Sequence, residues 1–142
     1  MAFCLVPELK GAPVSGVTRW LSPDKALLQL GLRFHSDDQF WFSFFHEAGH
    51  LLRHGKQLVF LEDGEGDERV EAEADAFARH FLIPREHEDG LQGLRTEAEI
   101  RAFAGRLGIA PGIIVGRLQH DGLLPHRFGH RIKRRWAWRR VH

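Results

Sequence analysis

The alternation of apolar and polar residues in the first third of the chain predicts a β-hairpin. Every second position in part of the segment 25–34 is apolar, namely Leu28, Leu30 and Leu32. The turn-forming residues Ser22-Pro23-Asp24 come directly before this segment. We therefore expect two strands, over Gly16–Leu21 and Lys25–Phe34, paired around that turn.

The apolar spacing then changes to a helical period. From about Asp38 to His54 one helical face is apolar, with Trp41, Phe44, Phe45, Ala48, Leu51 and Leu52. The segment His35-Ser36-Asp37-Asp38 supplies side-chain oxygens that can cap the start of this helix, and Gly55 is a typical stop. A second helix is predicted from about Glu68 to Leu82. Its buried side would carry Val70, Ala74, Phe77, Ala78 and Phe81, and Pro84 would end it.

The segment between these helices has weaker signals. Lys56–Leu61 is compatible with a short strand. Glu62–Asp67, with two glycines, is typical of an exposed loop.

Two further helices are predicted in the C-terminal half, over about Thr96–Leu107 and Pro111–His120. Thr96 and Glu99 have the spacing of a capping box, and Pro111 suits a first helical position. The short connection Gly108-Ile109-Ala110 is compatible with a helix-turn-helix shape. The apolar residues of these helices are needed mostly for packing, so we favour a role in covering the site and shaping a substrate groove over DNA reading.

The composition is that of a soluble cytoplasmic protein. The chain has 142 residues, of which 43% are hydrophobic and 27% charged, and this suits one domain over 1–142. No apolar stretch is long enough for a membrane helix, and the N-terminus lacks the pattern of a signal peptide. The single cysteine, Cys4, cannot form an internal disulfide, which fits a reducing compartment.

The central chemical signal is His46-Glu47-Ala48-Gly49-His50, inside the first predicted helix. Histidines four residues apart share a helical face, so both rings can bind one ion, while Glu47 projects beside them. Zinc prefers histidine nitrogens and carboxylate oxygens, and a catalytic zinc keeps one position open for water. Glu47 would be the general base that takes a proton from that water. The alternative is two solvated histidines on a polar face.

A third ligand is available on the second predicted helix. Glu71 and Asp75 are four residues apart and share a face, so Glu71 can bind the metal while Asp75 accepts the other ring N–H of a ligating histidine. Glu73 is expected on roughly the opposite face of the helix from Glu71 and Asp75. Glu68 and Glu73 remain substitute ligands if the helical phase is shifted by a residue or two. One zinc ion per chain is expected, and manganese or iron is not excluded.

These motifs together resemble the ImmA/IrrE family of bacterial metallopeptidases. The resemblance rests on His46-Glu47-Ala48-Gly49-His50, on Glu71-Ala72-Glu73-Ala74-Asp75-Ala76-Phe77-Ala78 and on Phe81-Leu82-Ile83-Pro84, and it covers about residues 15–135. It implies a gluzincin-like site with ligands His46, His50 and Glu71 and the base Glu47. It also implies cleavage of a helix-turn-helix repressor encoded nearby. The form resembles the catalytic module often found behind an antitoxin-type helix-turn-helix domain, and a longer form with an N-terminal DNA-binding domain stays open.

One departure concerns stabilisation of the oxyanion. The chain contains no tyrosine, so no phenol can assist the metal when water attacks a peptide carbonyl. A histidine or arginine would have to do so, and the candidates are His80, Arg79, Arg117 and His120.

The charge distribution leaves other partners open. After Asp121 the chain has no acidic residue but carries Arg127, Arg131, Lys133, Arg134, Arg135, Arg139 and Arg140, interleaved with Phe128, Trp136 and Trp138. Arginine and aromatic rings can bind nucleic acid. We favour a tail that docks its tryptophans on the core and solvates its arginines, with binding to an acidic protein as a further alternative.

The expected fold is α+β: a small antiparallel sheet packed on a two-helix zinc-binding core over about 15–90, with additional helices and the basic tail over about 91–142. The expected function is zinc-dependent peptide hydrolysis. The alternatives are a non-proteolytic regulator with structural zinc, which binds a repressor, antitoxin or nucleic acid, and a nucleic-acid-binding module driven by the tail.

Overall fold

The computed structural model describes residues 1–6, 16–31, 35–54 and 64–139. It divides the chain into two compact units that interleave along the sequence. The first contains Met1–Arg33 and Phe42–Phe81, and the second contains Phe34–Trp41 and Leu82–His142. The architecture is α+β, as predicted, while the organisation as a single domain stays a prediction.

A three-stranded sheet belongs to the first unit. Its strands are β1 (Ala2–Leu5), β2 (Gly16–Ser22) and β3 (Lys25–Leu30), in the order β1-β3-β2. The predicted hairpin is confirmed, because β2 and β3 pair antiparallel around the turn at Pro23 and Asp24. The sheet is mixed rather than wholly antiparallel, because β1 pairs with β3 in parallel. The predicted end of the second strand, at Phe34, lies outside the described residues.

Two helices carry the central motifs. Helix α1 runs over Asp37–Gly49 and continues into a π-helical turn over His50–His54, and helix α2 runs over Gly64–Leu82. Both predicted helices are therefore confirmed, but α2 begins four residues before the expected start at Glu68. The loop expected up to Asp67 is thus wrong for residues 64–67. The expected stop at Gly55 and the strand over 56–61 lie outside the described residues.

The buried faces of these helices follow the predicted stripes except near two helix ends. Ala48, Val70, Ala74 and Ala78 are buried, as expected. Leu52 is 73% exposed and Phe81 is 58% exposed, so their predicted burial is wrong. For Leu52 the reason is the π-helical turn, because its wider winding rotates later side chains out of the phase of a regular α-helix.

The second unit contains a 3₁₀ helix over Arg85–Leu91 and the helices α3 (Glu97–Leu107) and α4 (Pro111–His120). Thr96 and Glu99 form the predicted capping box, and Gly108 ends α3 in a left-handed conformation with φ of 70°. Such a φ suits glycine because glycine lacks a Cβ. The core of this unit is apolar, and it contains Ile83, Leu91, Leu94, Ile100, Phe103, Ala104, Ile114, Val115, Leu118, Leu124 and Ile132.

The basic tail after α4 is held by buried polar contacts within the second unit. The Gln119 amide donates hydrogen bonds to three backbone carbonyls of the turn that follows, and its oxygen accepts one from Lys133. Trp136 packs edge-to-face on Phe40, with ring centroids 4.6 Å apart. Docking is thus confirmed for Trp136, but Trp138 is 49% exposed. The described arginines of the tail are exposed: Arg127, Arg131, Arg134, Arg135 and Arg139.

Within the described residues, none of the helices combines the length and the hydrophobicity that a membrane span requires.

Candidate metal centre

Three predicted ligands converge in the first unit. The Nε2 atoms of His46 and His50 lie 3.1 Å apart. Each also lies 3.0 Å from a different carboxylate oxygen of Glu71. Among the described residues, these three are the group whose donor atoms could hold a metal ion together.

The size of this triangle fits a divalent metal ion. Donor atoms bonded at about 2.0 Å around a tetrahedral zinc are separated by about 3.3 Å. The two histidine nitrogens are 3.1 Å apart, close to that value, and each lies 3.0 Å from its own oxygen of the Glu71 carboxylate. The three side chains therefore already have nearly the spacing of a coordination shell.

The hydrogen bond from His46 to Asp75 supports the same interpretation. His46 Nδ1 lies 2.7 Å from Asp75 Oδ1, and a carboxylate can only accept, so the ring donates from Nδ1. A neutral His46 ring then carries a lone pair on Nε2, facing Glu71 Oε2 at 3.0 Å. Two acceptors at that distance repel unless a cation lies between them. A metal ion held between these two atoms would remove that repulsion.

His50 is suited to bind a metal in its neutral form. Its side chain is buried, and burial lowers the pKa of His50 even though the neighbouring Glu71 carboxylate acts in the opposite direction. Metal ions bind the neutral imidazole, so a lowered pKa favours binding near neutral pH. Its Nδ1 is buried without a hydrogen-bond partner. Glu71, by contrast, is 58% exposed, so the triangle is accessible to solvent on the Glu71 side.

The close approach of α1 and α2 brings the ligands together. A Cβ on Gly49 would lie 3.0 to 3.2 Å from three atoms of the Phe77 side chain. Any larger residue at position 49 would push on this ring. The glycine of the motif therefore leaves room for the Phe77 side chain where α1 and α2 approach each other.

The predicted base Glu47 contacts strand β2. Thr18 donates its hydroxyl to Glu47 Oε2 at 2.5 Å, and the backbone oxygen of Glu47 lies 3.3 Å from the same hydroxyl. Gly16 lies two residues earlier on this strand, and a Cβ there would be 3.0 Å from Glu47 Cγ. Neither residue was identified from the sequence, because no local pattern links them to Glu47, which lies 29 residues after Thr18 and 31 after Gly16.

The neighbouring acids confirm the expected phase of α2. Glu73 accepts a hydrogen bond from His54 Nε2 at 2.8 Å, and this bond is the main reason why the pKa of Glu73 is lowered. Glu73 also pairs with Arg69. Glu68 is exposed. Neither substitute ligand belongs to the triangle, whereas Glu71 does and Asp75 contacts His46.

The candidates for oxyanion stabilisation are distributed over both units. Arg79 and His80 are half-buried on α2 in the first unit. Arg117 and His120 lie on α4 in the second unit, where Arg117 forms ion pairs with Glu88 and Asp121. Burial opposes the ionisation of Asp121, but the hydrogen bonds from Arg117 and His120 lower its pKa overall. The role of each candidate stays a prediction.

Comparison with protein families agrees with this geometry. The family model of the IrrE N-terminal-like domain, peptidase M78, matches residues 13–118, a range that includes the triangle, Glu47 and Thr18. No match was found among the curated proteins. Because the matched range covers most of the chain, this protein belongs to the ImmA/IrrE family of metallopeptidases.

Proposed function

We propose that this protein is a zinc-dependent metalloendopeptidase. The observation that carries the proposal is the triangle of His46, His50 and Glu71, with a carboxylate, Glu47, on the residue beside the first ligand. Among the described residues three side chains supply the donors, which is the number found in catalytic zinc sites, whereas structural zinc sites are closed by four. The exposure of Glu71 also fits a site that substrate can reach.

The chemistry of peptide hydrolysis divides between the metal and the protein. His46, His50 and Glu71 would hold the zinc ion, which would supply a Lewis acid for the attacking water and for the scissile carbonyl. Glu47 accepts the proton from the attacking water at its carboxylate and delivers it to the leaving amine. Asp75 keeps the His46 ring in the tautomer that presents Nε2 to the ion.

The proposed substrate is a helix-turn-helix repressor or antitoxin-type partner. The proposal derives from membership in the family, together with the motif resemblance that implies a repressor encoded nearby. A repressor is a cytoplasmic protein, and we place the peptidase in the same compartment. The single cysteine fits that location.

The test uses the product of the neighbouring repressor gene as substrate. The wild-type protein loaded with zinc should cut it, and Glu47→Gln should bind zinc equally well but cut at least about 100-fold more slowly, because general-base catalysis typically contributes about 10²- to 10⁴-fold. Glu73→Gln is the matched control, since Glu73 is bonded to His54 and lies outside the triangle.

The outcomes separate the proposal from a non-proteolytic role. If Glu47→Gln cleaves the repressor at the wild-type rate, Glu47 is not the base. If the zinc-loaded wild-type protein binds the repressor tightly but does not cleave it, the function is that of a non-proteolytic regulator with structural zinc.

A further inference from the structure

We propose that strand β2 positions the catalytic carboxylate, with Thr18 orienting Glu47 through its hydroxyl. This inference rests on the proposed role of Glu47 as general base. Thr18 is then a positioning residue, because it acts on the reaction only through Glu47.

The hydrogen bond of Thr18 is directed at the carboxylate. The hydroxyl has one proton to donate, and its distance of 2.5 Å to Glu47 Oε2 is much shorter than the 3.3 Å to the Glu47 backbone oxygen. Hydrogen bonds from a hydroxyl to an ionised carboxylate are typically short and strong. The bond therefore fixes Oε2, and the other carboxylate oxygen is left to take a proton from water.

Gly16 supplies a second, independent observation. Residues two apart on a strand point to the same face, so positions 16 and 18 both face Glu47. A Cβ at position 16 would lie 2.7 Å from Leu30 Cδ2 and 3.0 Å from Glu47 Cγ. The backbone of Gly16 does not adopt a positive φ, so the constraint on this position is one of space: a Cβ would press on Leu30 and Glu47. Strand β2 therefore contacts Glu47 at two points: Gly16 leaves room for its Cγ, and the Thr18 hydroxyl binds its carboxylate.

A positioned carboxylate matters because Glu47 has three rotatable bonds between the helix and its carboxylate. In peptide hydrolysis the base must lie within hydrogen-bonding distance of the attacking water. A misplacement of about 1 Å can lower a rate by about 100-fold. Loss of the Thr18 hydroxyl should therefore lower kcat and leave substrate binding unchanged.

The experiment compares Thr18→Val, which keeps the branched shape, with Thr18→Ser, which keeps the hydroxyl. The probe is a library of quenched fluorescent peptides, from which the best-cut member is used to measure kcat and KM. Thr18→Val should lose about 10- to 100-fold in kcat with KM and zinc content unchanged, and Thr18→Ser should retain most of the activity. The other threonine of the chain offers a control, because Thr96→Val removes the capping hydroxyl of α3 and should leave kcat unchanged.

A second measurement does not depend on turnover. Crystal structures of the zinc-bound Thr18 variants should show the Glu47 carboxylate rotated or in several orientations in Thr18→Val, and in its wild-type orientation in Thr18→Ser. A single, unchanged Glu47 orientation in Thr18→Val would overturn the inference, and so would an unchanged kcat.

The result also separates this inference from the proposed function. If Glu47→Gln slows cleavage as expected and Thr18→Val does not slow it, the base assignment holds and the positioning role fails. If Glu47→Gln cleaves normally, the proposed function fails. In the double variant, Thr18→Val should add no further loss to Glu47→Gln, because the hydroxyl acts through the carboxylate. Independent, additive losses would contradict that mechanism.

Discussion

Removal of the Asp75 carboxylate should weaken metal binding, because Asp75 sets the tautomer of His46. The two groups are joined by a hydrogen bond of 2.7 Å between Asp75 Oδ1 and His46 Nδ1. Without it, the ring is free to rotate and to place its proton on Nε2, which cannot then bind a metal. Loss of such a partner typically costs about 10- to 100-fold in metal affinity.

The magnitude should lie at the lower end of that range. The Asp75 side chain is 47% exposed, so water screens its charge. We expect Asp75→Ala to raise the Kd for zinc by about tenfold, equivalent to about 1.4 kcal/mol. Competition with a chromophoric chelator measures this change directly.

Glu73 provides a closely matched control on the same helix. It is 48% exposed, and it also accepts a hydrogen bond from a histidine, with 2.8 Å between His54 Nε2 and its Oε2. Both alanine variants remove one negative charge, but His54 is outside the triangle. Glu73→Ala should therefore leave zinc affinity almost unchanged. Equal weakening in both variants would refute the tautomer argument and indicate a general effect of charge.

Two further predictions concern stability. Both Gly49→Ala and Gly105→Ala gain helix propensity, but only the Cβ at position 49 would press on a neighbouring side chain, that of Phe77. Gly49→Ala should therefore be less stable than Gly105→Ala in urea unfolding, by about 1 to 3 kcal/mol. Equal effects of the two substitutions would contradict the packing argument. Burial raises the pKa of Asp37, so the folded protein holds this proton more tightly than the unfolded chain does, and stability from this group is lost as pH rises through the raised pKa. The difference in unfolding free energy between Asp37→Asn and wild type should therefore shift in favour of the variant from pH 4 to pH 7, and a difference that is constant with pH would contradict the assignment.

The candidate ligands could be selected from the sequence because the spacing within each helix determines which side chains share a face. The spacing of His46 and His50 places both rings on one face whatever surrounds the helix. Glu71 and Asp75 obey the same rule on α2. Local chemistry likewise predicted the capping box of Thr96 and Glu99 and the hairpin around Pro23.

Contacts between distant segments could not be predicted in this way. Thr18 and Glu47 meet only because the sheet and α1 pack together, and no periodicity in either segment indicates that contact. The parallel pairing of β1 with β3 has the same origin. The π-helical turn after Gly49 lacks a recognised local signature, and it is the reason why the phase expected for Leu52 was wrong.

The most direct test of the metal centre is the zinc content per chain of wild type, Glu71→Ala and Glu68→Ala. The two carboxylate oxygens of Glu71 lie 3.0 Å from the Nε2 atoms of His46 and His50, one each, whereas Glu68 is an exposed acid on the same helix. The metal centre described above predicts one zinc ion per chain in wild type and in Glu68→Ala, and its loss on dialysis from Glu71→Ala. A Glu71→Ala protein that retains zinc with wild-type affinity would contradict it.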